Sequence, residues 1–114
     1  MNLDEVSKEI HKNATEKGFW DYMYQDGSPK ADTFIFYAKQ LAMIHSEATE
    51  VLEAIRKDKG QDQVVEELAD ILIRVFDLYE GLRFNGDVSD SLHETLEKKM
   101  GVNKERPRMH GVAG

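Results

Sequence analysis

Apolar residues recur every three or four positions along most of the chain, which predicts helices and no convincing strand. Turn-forming segments such as DGSP, KDKG and FNGD separate the periodic stretches. The predicted helices run from Leu3 to Lys17, from a cap at Asp32 or Thr33 to KDKG, from a cap at Asp62 to FNGD, and from about Val88 to Met100. We predict that the tail after Met100 is irregular.

Short connections between these helices favour an all-α, up-and-down bundle of the four-helix type. The apolar stripe of the second helix is expected to face the core, and it consists of Phe34, Tyr37, Leu41, Ile44, Ala48, Leu52 and Ile55. The stripe of the third helix, between Val64 and Leu82, is too wide for one neighbour. We therefore expect an additional partner helix, contributed by another subunit.

Composition narrows the class of protein further. A length of 114 residues suits one domain, residues 1–114, and the absence of cysteine excludes disulfides and thiolate zinc sites. These features fit a cytoplasmic protein, and without a run of about 18 apolar residues we expect no membrane span. The net charge of −7 disfavours binding to nucleic acids, because the phosphate backbone repels an acidic surface.

Two acidic pairs, Glu47 with Glu50 and Glu67 with Asp70, each have a spacing of three residues beside an apolar stripe. If the second and third helices pack antiparallel, both pairs face one gap, where their charges repel. Arg74 follows Asp70 by four residues and is the one obvious positive partner. Divalent cations compensate this repulsion better than a single arginine does, because carboxylate oxygens suit hard ions such as Mg²⁺.

Two other interpretations compete with a magnesium site. Acidic pairs of this spacing are common on solvated helix faces, and in that case the chain is a non-catalytic helical oligomerisation module. A di-iron bundle requires the pattern Glu-x-x-His, and neither pair has histidine at that place.

Four segments resemble one family in the same order along nearly the whole chain. The spacing of Glu47, Glu50, Glu67 and Asp70 is similar to the metal motif of the MazG-like, all-α nucleoside triphosphate pyrophosphohydrolases. The segments LAMIHSEATEVLEAIRK and EELADILIRVFDL resemble the two metal-bearing helices of this family. IHKNATEKGFWD resembles the N-terminal helix of one branch, and KKMGVNKERPRMHG resembles the C-terminal element.

The resemblance implies magnesium-dependent cleavage of nucleoside triphosphates between the α and β phosphorus atoms, with Mn²⁺ as an alternative ion. It also implies a homodimer or a dimer of dimers. The four acids would be the metal ligands, and Lys99, Asn103 and Arg106 would bind the phosphates.

The resemblance leaves the catalytic base and the preferred nucleotide open. Many relatives have a further glutamate just before the first metal ligand, where this chain has Ser46. Glu47 and Glu50 are the catalytic candidates, and either Glu50 or a metal-bound hydroxide is compatible with activation of the attacking water. Specificity for another substrate, such as dUTP or a guanosine alarmone, is a further alternative.

For several aromatic and second-sphere residues, the sequence allows more than one role. Trp20 and its neighbour Phe19 either stack on the nucleobase or plug the end of the bundle. His11, as a histidine on a helix surface, is expected to be incidental. Asp77 lies nearly two turns beyond Asp70, which allows an outer-sphere role at the metal site.

Overall fold

The structure is a computed structural model that describes residues 2–21, 23–25, 28–29 and 33–108. It confirms the all-α fold of four helices, α1 (Leu3–Glu16), α2 (Thr33–Arg56), α3 (Gln61–Phe84) and α4 (Leu92–Lys104). The connection between α1 and α2 contains a small antiparallel ladder of β1 (Tyr24–Gln25) and β2 (Ser28–Pro29), which the sequence pattern did not predict. Within the described part of the chain, no helix combines the length and apolarity needed to span a bilayer.

Helix α1 ends in a Schellman motif at Gly18. The backbone N–H of Gly18 donates to Thr15, and that of Phe19 donates to Ala14, at 3.1 Å each. Gly18 adopts φ +87°, which glycine tolerates without steric cost. The chain therefore reverses its direction within two residues, as the glycine in the sequence predicts. This turn fixes the positions of Phe19 and Trp20.

Helices α2 and α3 form an antiparallel pair, and α1 packs mainly against α3. The pairing follows from three cross-helix contacts, because Tyr37 bonds to Asn85, Glu47 bonds to Arg74, and Glu50 lies beside Glu67. As the residue number rises on α2, it falls on α3. The antiparallel packing of the two acid-bearing helices is thus as the short connection predicts.

Most of the predicted core stripe of α2 is exposed, although Tyr37 packs against the core and Ile44 is half-buried. Phe36 and Ala54 are buried, whereas Phe34 is 79% exposed and the residues Leu41, Leu52 and Ile55 of the predicted core stripe are also exposed. The inner face carries the apolar residues Phe36, Met43 and Ala54 together with Glu47, and it lies on the far side of the helix from positions 34, 41, 52 and 55. The periodicity of the sequence identified an apolar face of α2 correctly. The prediction that this face packs against the core of the chain was wrong, because most of it is exposed.

A second exposed apolar row lies on α3, with Val65, Leu68, Leu72 and Val75 open to solvent. This agrees with the expectation that the stripe of α3 is too wide for one neighbour. Together the exposed apolar side chains of α2 and α3 form what we call the outer seam: Phe34, Leu41, Leu52, Ile55, Val65, Leu68, Leu72 and Val75.

The core of the chain centres on Trp20, Met23 and Phe36, with Ala14, Tyr37 and Leu78 packed around them. The Trp20 ring lies against Gly81 of α3, where an added Cβ would stand 2.0 Å from a ring carbon. Gly81 therefore exists in the middle of a helix because the indole occupies the space of its side chain.

The predicted ends of α3 and α4 need correction. Gly60, at φ +94°, is the N-cap of α3, and Asp62 lies inside the first turn, where its charge favours the helix dipole. Helix α4 begins at Leu92 because Ser91 and Glu94 form a capping box, a sequence signature that fixes the start four residues later than predicted. The helix continues to Lys104, so the first part of the tail is helical, not irregular. Asp32 lies outside the described residues.

Replacing Gly81 with alanine should destabilise the fold by about 1–3 kcal/mol, because the new methyl group overlaps the Trp20 ring in a closed core. Urea unfolding followed by tryptophan fluorescence measures the change. Gly101→Ala is the matched control, since it also adds a methyl group in a helix but meets nothing within 4 Å. It should leave stability unchanged or raise it by up to about 1 kcal/mol. Equal effects of the two substitutions would contradict the packing role of Gly81.

Candidate metal centre and adjoining cleft

Three of the four predicted acids converge between α2 and α3. Glu47, Glu50 and Glu67 each offer a carboxylate oxygen, and these oxygens lie within 4.8 Å of one another. The convergence follows from local geometry, because a spacing of three residues puts two side chains on one helix face and the antiparallel partner supplies the third. We call these residues the carboxylate cluster.

Two members of the carboxylate cluster are held by neutral or positive side chains. The Arg74 Nε–H donates to Glu47 at 2.9 Å, with both side chains mostly shielded from solvent. The Gln63 amide donates to Glu67 at 2.9 Å from one turn earlier on α3. The expected pairing of Arg74 with Asp70 is wrong, because Arg74 reaches across to α2 instead. The guanidinium offsets one negative charge of the cluster and leaves the others uncompensated.

Glu50 is the exposed member of the cluster, and the two neighbouring carboxylates disfavour its charged form. Repulsion from Glu47, and then from Glu67, raises the pKa of the Glu50 carboxyl above its ordinary value. A cation bound among the three groups would reverse this effect by attraction.

The donor set fits a hard divalent cation. All three groups are carboxylates, the ligands that Mg²⁺ and Mn²⁺ prefer. An octahedral Mg²⁺ has ligand distances of about 2.0–2.1 Å, so opposite ligands stand about 4.2 Å apart. Oxygens already within 4.8 Å need only small side-chain rotations to reach such an arrangement.

Asp70, the fourth predicted ligand, is exposed one turn after Glu67 and is not among the three convergent groups. It lines a cleft of about 530 Å³ together with Glu47 and Arg74. The cleft begins beside the carboxylate cluster and runs between α1, α2 and α3. Asp70 as a metal ligand stays a prediction, and it shares the cleft with Glu47 of the carboxylate cluster.

The walls of the cleft are partly apolar and partly polar. Ile10, Ala14, Phe19 and Ile73 supply the apolar side, and the amides of Asn13 and Gln40 face the same space. Two further carboxylates, Glu9 and Asp77, also line the cleft. Sequence analysis did not select Asn13 or Gln40, because a single polar residue on a helix gives no periodic or motif signal.

Trp20 does not line this cleft, and the geometry favours its packing role. Its side chain is 1% exposed, and its indole N–H donates to both carboxylate oxygens of Asp77 at 2.9 and 3.0 Å. Phe19 is the aromatic residue that faces the cleft, and it is 54% exposed. Trp20 instead borders a separate cavity of about 500 Å³ together with His11 and Phe84, and its stacking on a base stays a prediction.

His11 is not incidental, contrary to expectation. Its Nδ1 lies 2.7 Å from the Asp77 carboxylate, and its ring meets Trp20 edge-on with centroids 5.0 Å apart. Asp77 is itself buried, and its carboxylate faces the Nδ1 of His11 and the indole N–H of Trp20. This residue joins α1, α3 and the connecting loop from its place in the wall of the cleft.

The three predicted phosphate-binding residues lie on or just after α4. Lys99 and Asn103 are exposed on the helix, and Arg106 is exposed two residues beyond it. None of the three lines the cleft beside the carboxylate cluster. Their role at a phosphate group stays a prediction.

The fold and the site define an all-α protein in which two antiparallel helices bring three carboxylates together. The particular family follows from sequence comparison, because the profile of the MazG nucleotide pyrophosphohydrolase domain matches residues 37–106, more than half of the chain. The chain therefore belongs to the MazG family. No curated protein and no solved structure matches it.

Mg²⁺ should raise the thermal stability of the protein, because it relieves the repulsion among Glu47, Glu50 and Glu67. Binding at 100 times the dissociation constant contributes about 2.7 kcal/mol. Without divalent ions, the raised pKa of Glu50 means that stability falls as pH rises from its ordinary value of 4.5 through the raised value. Differential scanning calorimetry with and without Mg²⁺ at pH 4 and pH 7 measures both effects.

Glu50→Gln removes one charge of the cluster and should abolish the stabilisation by Mg²⁺ at pH 7. Glu53→Gln is the matched control, since Glu53 lies one turn further along α2 and pairs with Arg56 at 2.7 Å. An equal response to Mg²⁺ in wild type and Glu50→Gln would show that the ion does not bind in the cluster.

Proposed function

We propose that the protein is a magnesium-dependent nucleoside triphosphate pyrophosphohydrolase that releases a nucleoside monophosphate and pyrophosphate. Membership of the MazG family supports the reaction class. The observation that carries the proposal is the convergence of Glu47, Glu50 and Glu67 beside a cleft of about 530 Å³. A cation site and a ligand-sized cavity thus share one wall.

The chain's own residues have separable tasks in this reaction. Glu47, Glu50 and Glu67 hold the cation, with Asp70 completing the ligand set from the mouth of the cleft. Arg74 and Gln63 fix the carboxylates of Glu47 and Glu67, as outer-sphere partners commonly do at metal sites. When bound, Mg²⁺ neutralises part of the charge of the triphosphate and lowers the pKa of a coordinated water.

Glu50 is the best candidate to accept a proton from the attacking water. It is the exposed carboxylate of the cluster, so its oxygens are accessible to a water molecule. Glu47, by contrast, is held in an ion pair with Arg74 at 2.9 Å. Ser46 is exposed next to this ion pair and supplies no carboxylate of its own.

Lys99, Asn103 and Arg106 are assigned to the β and γ phosphates. Their exposure leaves their side chains available for a polyanion, and the fork of donors on Arg106 matches a phosphate group. Mn²⁺ is expected to replace Mg²⁺, because both ions take oxygen ligands.

We also propose that the protein is a homodimer, or a dimer of dimers, assembled through the outer seam. The seam leaves large apolar side chains of α2 and α3 exposed to solvent, and this exposure supports an interface with a second copy of the chain. This observation also favours the alternative function, a non-catalytic interaction module. Release of pyrophosphate separates the two, since the module has no reason to hydrolyse nucleotides.

A panel of canonical and modified triphosphates with Mg²⁺ tests the reaction by scoring pyrophosphate against phosphate release. Glu50→Gln and Asp70→Asn should each lower kcat by at least about 100-fold, because loss of a direct ligand exceeds the 10–100-fold cost of losing an outer-sphere partner. Glu53→Gln should retain full activity. Unchanged turnover in Glu50→Gln, or release of orthophosphate alone, would contradict the proposal.

Leu72→Glu should dissociate the assembly, because it puts a charge into the apolar row of α3 at a residue that is 55% exposed. Light scattering coupled to gel filtration measures the mass. Met100→Glu is the control, since Met100 is also open to solvent, at 68% exposure, but lies on α4, outside the outer seam. Dissociation by Met100→Glu together with an intact Leu72→Glu assembly would move the interface away from α2 and α3.

A further inference from the structure

The charges around the cleft determine which part of a nucleotide it accepts. Glu9, Glu47, Asp70 and Asp77 line it, and among the described residues of its wall Arg74 is the single cationic side chain. A triphosphate placed there would face mainly carboxylates, whereas an uncharged nucleoside would not be repelled. The phosphates therefore belong at the cation-holding end, and the remaining space is suited to the base and sugar.

The distance along α2 between Gln40 and Glu47 agrees with this division of the cleft into a phosphate end and a nucleoside end. Gln40 precedes Glu47 by seven residues, which is two helical turns or about 10 Å. Both residues line the same cleft. A ligand held at the carboxylate cluster can thus extend along α2 and reach the Gln40 amide without leaving the cavity.

Phe19 gives the cleft a flat apolar surface. Its ring is 54% exposed and shares the cavity with Ile10, Ala14 and Ile73. The Schellman bond from the Phe19 N–H to Ala14 fixes the backbone at this point. An exposed ring on a fixed backbone offers a stacking surface for a nucleobase, and such stacking tolerates any base.

Asn13 and Gln40 supply the polar groups that discriminate among bases. Each side-chain amide has a carbonyl acceptor and an N–H₂ donor, the combination that pairs with the donor and acceptor atoms of a base edge. Within the described part of the chain, neither amide has a side-chain hydrogen-bond partner, so both are available to a ligand. The side-chain amide of Gln63, by contrast, donates a hydrogen bond to Glu67.

We infer that the cleft is the nucleoside subsite, in which Phe19 stacks on the base and Asn13 and Gln40 read its edge. This inference rests on the proposed function, and it transfers the base-stacking role from Trp20 to its neighbour. It also makes α1, which contributes no carboxylate to the cluster, the element that sets base preference.

Phe19→Leu tests the stacking contact by comparing two ligands in the presence of Mg²⁺. One is the α,β-methylene analogue of the preferred triphosphate, which resists cleavage at the proposed bond, and the other is inorganic tripolyphosphate, which has no base. Calorimetry should show about tenfold weaker binding of the analogue, because base–aromatic contacts are worth about 1–3 kcal/mol. Binding of tripolyphosphate should not change.

Phe84→Leu is the matched control, since Phe84 is also an exposed aromatic residue but lies outside this cleft. It should affect neither ligand. An equal loss for both ligands in Phe19→Leu, or no loss for either, would overturn the stacking assignment.

Asn13→Ala and Gln40→Ala test the discrimination among bases. Each should weaken binding of the preferred analogue by about tenfold and affect poorly accepted bases less, which compresses the selectivity ratio. Gln61→Ala removes an exposed amide at the start of α3 and should leave the ratio unchanged. A uniform loss across all bases would overturn the role of the amides in selectivity.

The same measurements separate this inference from the proposed function. If the wild-type protein binds the analogue with these effects but releases no pyrophosphate from the parent nucleotide, the proposed reaction fails and the nucleoside subsite stands. If pyrophosphate is released and the three substitutions leave base dependence intact, the subsite assignment fails and the reaction stands. Absence of binding to any nucleotide would overturn both.

Discussion

Repulsion among the carboxylates that α2 and α3 bring together is the constraint on which the rest of the site depends. Two helices packed antiparallel place Glu47, Glu50 and Glu67 within 4.8 Å at their oxygens. Arg74 offsets only one of the charges, so the arrangement is unfavourable until a cation binds. The packing of the helix pair holds the acids together against this repulsion, which makes the cluster suited to a divalent cation.

The fold could be predicted from the sequence to a large extent, because helix periodicity is a local property. The ends of the helices were harder to predict from the sequence. Helix α4, for example, begins only after the Ser91–Glu94 capping box, later than its apolar pattern indicates. The orientation of α2 was predicted wrongly for a different reason. A helix with apolar residues on two faces, such as Phe34 on one and Phe36 on the other, gives a pattern that does not say which face its own chain covers.

The candidate site shows the same division between local and tertiary information. A spacing of three residues was enough to bring Glu47 and Glu50 to one face, and their meeting with Glu67 followed from antiparallel packing. The partner of Arg74 was not predictable in this way, since the local rule offered Asp70 and the cross-helix distance favoured Glu47. A long side chain between two helices chooses its partner by tertiary geometry.

The Schellman turn at Gly18 has a consequence for how this chain can diverge. It sends two consecutive aromatic residues to opposite destinations, with Trp20 locked into the core against Gly81 and Phe19 left in the cleft. Substitutions at position 20 must therefore fit the packed core, whereas those at position 19 change an exposed surface of the cleft at little structural cost. Two consecutive residues thus constrain the sequence very differently, because one fills a fixed volume in the interior and the other borders open space.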